Sequence, residues 1–493
     1  MAVCQGCLDV IKQPSPSSPL LERKEGEEEI IIPKDSIFCE SCFISKKAME
    51  CIQRSKLELK PYQKKIVYHM SSKNNRSLLV VHPTGFGKTL TAATYSQCFL
   101  DTYPGSKVIF IGPSALKENF RKGLITYGLS KKEIEESYLF FSFQKFQNDS
   151  NQFIREGKCR GNLFIIDEVH ELRNMNLNSE KSGKRAKAVL SCLYQAKKFL
   201  LLTATPFVNS LNDLISLTNL VHGTPVITKK SQIKDLSNFK PLLRGYVDYI
   251  KPIYDDNFPK KIVHTVKIKM PPDYEEAYCK LIKGFEINES VFSSPQAFYN
   301  AHRRAVNKIG NGKKYFSLKM DQVLHIIGDK KTLIYSNWLE FGLDPISDSL
   351  EEAEISFEGF SGRIKEIEKK EIIERFNQDE FQVLIISPSG KLGIDLVGVR
   401  NVIVMDPVWN PSGMLQIEGR AIRYGSHSHL PKKERVVDVY HLVLETSTPP
   451  PNVGGVSQGA TNCLSGDVLV YNFIEKKMVL DKQVMKMLEE ISI

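Results

Sequence analysis

The stretch SLLVVHPTGFGKTLTAA, residues 77–93, decides how this chain is read. Five residues of a short apolar run, Ser77–Val81, have the length and composition of a buried strand. A loop with two glycines follows, and Lys88-Thr89 opens a helical pattern. Glycines let a backbone turn its N–H groups inward around a phosphate, and the helix N-terminus adds its dipole. Pro83, Thr84, Gly85, Phe86, Gly87, Lys88 and Thr89 are therefore nucleotide-binding candidates. Lys88 would reach the outer phosphates, and the Thr89 hydroxyl would ligate Mg2+. One departure stands out: His82 occupies the position where the strict G-x-x-x-x-G-K-[ST] pattern has Gly or Ala. A Gly-Lys-Thr turn can also arise by chance, but the strand before it and the helix after it weigh against that.

A phosphate loop needs a carboxylate at a neighbouring strand end, to hold the metal, and a base for water. NLFIIDEVHELRN, residues 162–174, supplies Asp167 for the metal and Glu168 for the water. His170 would couple this motif to the next. Working outward, KVIFIGP, YLFFSF and FLLLTATP also read as buried strands separated by helical stretches, which implies a parallel α/β domain over residues 56–222. A second alternating set, KTLIYSN, EISFEGF, FQVLIISP, NVIVMDP and VVDVYHLV, marks another over 321–447. Between them, residues 223–320 show helical spacing and no comparable buried strands, so a helical linker or insertion is expected there. Residues 448–493 read as a loop and a C-terminal helix, and residues 1–55 as a separate cysteine-rich head.

The bulk numbers set limits. At 493 residues the chain exceeds one hydrophobic core. The formal net charge of +10 favours a polyanionic partner, modestly. No apolar run reaches the roughly 20 residues a membrane span requires. The first ten residues, MAVCQGCLDV, lack a charged leader and an apolar signal core, so secretion is not expected. Ten cysteines in such a chain read as thiols or metal ligands rather than a disulfide frame.

In order, HPTGFGKT, DEVH, LLLTATP and QIEGRAIR resemble motifs I, II, III and VI of the superfamily 2 helicases and translocases, over about residues 56–447. The resemblance implies two tandem RecA-like parallel-sheet lobes. It implies that Gln63, in LELKPYQKKIV, reads adenine, and that Gly393 and Asp395, in SPSGKLGIDL, lie near the nucleotide with Gln416. Thr203 and Thr205 would join His170 in coupling. Arg420 and Arg423 would be arginine fingers on the γ-phosphate, an effect worth on the order of 10³-fold in related phosphoryl transfers. Ser114 and Lys117 (motif Ia), Asn337 (motif IV) and Ser389 (motif V) are the nucleic-acid candidates, as phosphate-backbone contacts.

DPVWNPSGMLQIEGRAIRYGSH resembles the Swi/Snf-like branch, and its tail resembles nucleoside triphosphatases of large DNA viruses, including the poxvirus-type nucleoside triphosphate phosphohydrolase I and early transcription factor small subunit. By that resemblance the partners are duplex DNA and a viral RNA polymerase or its transcription factors, with the protein in the virion and the host cytoplasm or nucleus. Two alternatives stay open: a strand-separating helicase for replication or repair, and a catalytically silent polymerase scaffold.

The head carries its own signal. Cys4-x-x-Cys7 and Cys39-x-x-Cys42 are two knuckles suited to tetrahedral Zn2+, in a zinc-ribbon-like fold, with Cys51 close enough to substitute. The remaining cysteines, 98, 159, 192, 279 and 463, read as buried packing residues.

Overall fold

The computed structural model describes residues 40–173, 183–206, 211–251, 257–288, 300, 302–311, 314–360, 364, 366–388, 394–409, 411–447 and 463–493. The chain divides into two compact units. One comprises Met1–Pro252 with Val484–Ile493, and the other Ile253–Gln483.

In the first unit, helices α1 (Glu40–Gln53) and α2 (Pro61–Ser71) precede strand β1 (Ser77–Val81). Then come α3 (Lys88–Thr102), β2 (Val108–Gly112), α4 (Ser114–Tyr127), β3 (Tyr138–Ser142), β4 (Leu163–Ile166), β5 (Lys198–Thr203) and β6 (Val247–Tyr249). The sheet order is β3-β2-β4-β5-β1-β6 and every pairing is parallel. All residues of β1, β2, β4 and β5 are buried. That two-sided burial is why these strands read as unbroken apolar runs instead of alternating ones.

The second unit has its own sheet. Its strands are β7 (Lys260–Lys269), β10 (Thr332–Tyr335), β11 (Phe357–Phe360), β12 (Val383–Ile386), β13 (Asn401–Val404) and β14 (Val436–Glu445), in the order β11-β12-β10-β13-β14-β7, all parallel. A short antiparallel hairpin, β8 (Ile309–Asn311) with β9 (Lys314–Phe316), stands apart from it. Helix α5 (Pro411–Ala421) follows β13, and helix α6 (Gly466–Ile491) closes the chain. The ten strands expected from the sequence are all present, as two parallel α/β lobes of the tandem RecA-like kind.

Three expectations need correction. The stretch 223–320 is not simply helical, because it gives β6 to the first sheet and β7 to the second. β6 has only three residues, and β7 alternates between exposed and half-buried positions along KKIVHTVKIK, so neither has the apolar continuity of a central strand. Nor is all of 1–55 separate from the first lobe: Ala48, Cys51 and Ile52 of α1 join the core formed by α2, α3 and the sheet.

Finally, six cysteines expected to be unpaired stand together. Cys51–Cys98, Cys159–Cys192 and Cys279–Cys463 are joined as disulfides, with Cα separations of 5.5, 5.2 and 5.6 Å. Their spacings of 47, 33 and 184 residues carry no local signal, because only tertiary packing brings them together. Among the described residues no helix is long and apolar enough to cross a membrane.

Candidate active site

The loop between β1 and α3 closes on its two glycines. Gly85 and Gly87 have φ of 85° and 72°, the left-handed region that costs L side chains free energy. Gly87 is needed twice over, since a Cβ there would lie 2.4 Å from Nε2 of Gln63. That amide donates to the Gly87 carbonyl at 3.1 Å, while its Oε1 accepts from the Lys60 N–H at 2.7 Å. The buried Gln63 thus ties the start of α2 to the phosphate loop, a structural task beside the adenine contact its motif implies. Tyr62 adds a second tie, its hydroxyl donating to the Phe86 carbonyl at 3.2 Å.

Lys88 begins α3, and its ammonium donates to the carbonyls of His82 at 2.8 Å and Pro83 at 3.2 Å. It is held over the loop it serves. Thr89 is the next residue of α3, backed by α4, where a Cβ on Gly123 would meet the Thr89 methyl at 2.7 Å.

Asp167 and Glu168 follow β4, which lies between β2 and β5. The Asp167 N–H donates to Ile111 O at 2.9 Å, and the Asp167 Oδ1 accepts from the Glu168 N–H at 3.0 Å. Glu168 takes the left-handed conformation, φ 51°, rare for a side-chain-bearing residue and of a kind that clusters at active sites. Desolvation first, and the Glu168 charge second, push the Asp167 carboxyl up to about 7. A carboxyl disfavoured in this way is stabilised as an anion by a nearby cation, so the position suits Mg2+. Among the described residues no cluster of three or more His, Cys, Asp or Glu could hold a metal.

The structure brings His170, Thr203 and Thr205 together. His170 Nδ1 lies 3.2 Å from Glu168 Oε2 and 3.1 Å from the Thr203 hydroxyl. Thr203 ends β5, its Oγ1 accepts the Thr205 N–H at 3.0 Å, and its carbonyl accepts the His82 N–H at 3.2 Å. One chain of contacts therefore runs from the base candidate through His170 and Thr203 to the phosphate loop.

In the second unit, α5 carries Gln416, Glu418, Gly419 and Arg420, with Arg423 just beyond it. Glu418 is buried and pairs with Lys261 of β7, with His441 of β14 3.5 Å away. This anchors the helix to the sheet. Arg420 is buried, and its Nη1 donates to Ile394 O at 3.4 Å. Arg423 forms an ion pair with Asp395, and its Nε donates to Gly419 O at 3.0 Å. Burial pulls the Arg423 guanidinium down to about 10, still a cation at neutral pH. The structure thus brings Asp395 and Arg423 together.

Of the nucleic-acid candidates, Ser114 is exposed at the start of α4 and Lys117 lies on the same first turn. Asn337 is occupied internally: its Oδ1 accepts from the Tyr335 hydroxyl, and its Nδ2 donates to Asp406 and to Pro407 O. Gly393, Ser389, Cys4, Cys7 and Cys39 lie outside the described residues, while Cys42 falls within α1. The tryptophans bracket a buried cation, with the Arg303 guanidinium 5.2 Å from the Trp338 ring and 5.1 Å from that of Trp409.

Sequence reasoning missed Asp248, whose Oδ2 lies 2.6 Å from His82 Nε2. An acid inside the apolar run YVDYI was the available clue, since a carboxylate buried in a strand needs a partner.

Three family models match: the Type III restriction enzyme res subunit over residues 56–208, the SNF2-related domain over 134–335, and the helicase conserved C-terminal domain over 318–425. A protein of Acanthamoeba polyphaga mimivirus that carries the name ATP-dependent RNA helicase is 32% identical over 419 residues, covering 78% of this chain and 88% of its own. Nucleoside triphosphatase I of Choristoneura fumiferana entomopoxvirus is 24% identical over 459 residues, covering 75% and 71%. Among solved structures, the Sulfolobus solfataricus SWI2/SNF2 ATPase core in complex with dsDNA shares 19% identity, covers 80% of this chain and 89% of that one, and has a TM-score of 0.37.

Proposed function

Because the chain belongs to the superfamily 2 helicases, with a SNF2-related core, we propose that it is an ATP-driven translocase that moves on duplex DNA and serves viral transcription beside a viral RNA polymerase. The observation that carries the ATPase part is the meeting of Lys88, Asp167, Glu168, His170 and Thr203 beside one phosphate loop. The loop N–H groups and Lys88 bind the phosphates, and Glu168 accepts a proton from the attacking water. Thr89 and Asp167 would hold Mg2+, which would supply positive charge against the nucleotide's phosphates. By their motif, Arg420 and Arg423 are the arginine-finger candidates. Ser114 and Lys117 stand as backbone contacts. In this reading the protein works in the virion and in the host cytoplasm or nucleus.

The decisive experiment compares ATP hydrolysis with no nucleic acid, single-stranded DNA, duplex DNA and RNA, at low and moderate salt. Strong stimulation by duplex DNA is expected, weakening with salt as counterions compete for the phosphates. The RNA-helicase name of the mimivirus relative favours a second reading, which stimulation by RNA over DNA would establish in place of the first. A negligible rate under every condition would promote the scaffold instead. Zinc in the head belongs to the same proposal: elemental analysis should find one zinc per chain, lost in Cys39→Ser, and metal-free native protein would defeat it.

A further inference from the structure

His82, the residue that breaks the usual loop pattern, is held from three sides. Its N–H donates to Thr203 O, its carbonyl accepts the Lys88 ammonium at 2.8 Å, and its ring meets Asp248. Both side chains of the His82–Asp248 pair are almost fully buried. Burial pulls the His82 imidazole down, which suits a neutral ring donating its Nε2–H to Asp248. In keeping with that tautomer, Nδ1 has no hydrogen-bond partner among the described residues.

Asp248 sits at the centre of β6, opposite Val80 of β1 in the parallel register. Its other oxygen, Oδ1, lies 2.9 Å from the Lys65 ammonium of α2. Burial opposes its charge, yet the His82 and Lys65 contacts hold its carboxyl below the ordinary value. The outer edge of β6 is also fixed: the Ile493 N–H donates to Val247 O at 2.9 Å, and the Tyr249 N–H donates to the Ser492 hydroxyl at 2.9 Å. Lys65 also donates to the Ile493 carbonyl, so one lysine joins the last residues of the chain to Asp248.

We propose that Asp248 is a positioning residue for the phosphate loop, acting through His82: the Lys65–Asp248–His82 chain sets the backbone carbonyl that receives Lys88. An imidazole at this loop position requires a buried acceptor, whereas the usual Gly or Ala does not. Asp248 and His82 are therefore a matched pair, and the segments 245–250 and 492–493, outside every recognised motif, belong functionally to the nucleotide site. The inference rests on the ATPase reading of that site.

The test is a double-mutant cycle on the full chain with Asp248→Ala, His82→Ala and both together. ATP affinity is measured by equilibrium binding, and KM and kcat by turnover. Loop amides grip the nucleotide in ground and transition states alike, so a displaced loop raises KM more than it lowers kcat. Asp248→Ala should weaken ATP binding about tenfold with kcat changed less than about threefold, and in the His82→Ala background the same change should cost less than about twofold. Asp248→Asn, which keeps an acceptor for His82, should recover most of the affinity; if the alanine variant does not fold, a tenfold loss of ATP affinity in Asp248→Asn would overturn the proposal. An equal loss in both backgrounds, or a lowered melting temperature with ATP affinity unchanged, would overturn the proposal. Because the cycle is read from binding, absent turnover in the parent chain would sink the ATPase reading without deciding this one.

Discussion

Gly87→Ala perturbs the loop at a point where the cost can be worked out. The new Cβ would stand 2.4 Å from Gln63 Nε2, and the residue would keep φ of 72°. The left-handed backbone alone costs about 1 kcal/mol for alanine. Gln63 cannot simply swing aside, because the same buried amide holds the Gly87 carbonyl and the Lys60 N–H. Losing both hydrogen bonds adds about 2 kcal/mol, for a total of about 3 kcal/mol. If the loop keeps its shape, the cost appears as lost stability in urea unfolding. If the loop yields, it appears as roughly a hundredfold weaker ATP binding. Adding Gln63→Gly removes the clash but not the backbone strain, so it should relieve little of the total: the hydrogen bonds are gone either way. Chemical denaturation and ATP titration on the same preparation measure both channels. A combined loss below about 1 kcal/mol would refute this account of the loop.

Other perturbations test other links. Lys88→Ala and Glu168→Gln should each abolish ATP hydrolysis with the fold intact; normal turnover in either defeats the assigned chemistry. His170→Ala should leave ATP affinity within about threefold but remove stimulation by nucleic acid, since it severs the Glu168–Thr203 link. With the Asp167 carboxyl raised to about 7, the proton competes with Mg2+ below that pH, so Mg2+ titrations of ATP binding should be about tenfold weaker at pH 6 than at pH 8. A flat profile would mean Asp167 is not the ligand. Non-reducing peptide maps should join Cys51 to Cys98, and Cys98→Ser should cost up to about 4 kcal/mol by the chain-entropy argument for a loop of 47 residues; a free thiol at both positions in oxidised protein would contradict the pairing.

What the sequence alone determined follows from local physics. Central parallel strands are buried on both faces, so β1, β2, β4, β5, β10, β12 and β13 announce themselves as short apolar runs. A phosphate loop must combine glycines, Lys and a helix start within a few residues, so Gly85, Gly87, Lys88 and Thr89 were legible without a structure, as was the Asp167-Glu168 pair at a strand end. Only the tertiary structure decided the rest, because the decisive neighbours are far apart in the chain. Asp248 meets His82 across 166 residues, and Gln63 meets Gly87 across 24. β7 finds its place only by pairing with β14 over ten residues, since an edge strand open on one side has no continuous apolar signature. The motifs name the groups that do chemistry; the fold chooses which distant residues hold those groups still. A hydrogen bond between side chains depends on where two backbones run, and one-dimensional spacing does not record that.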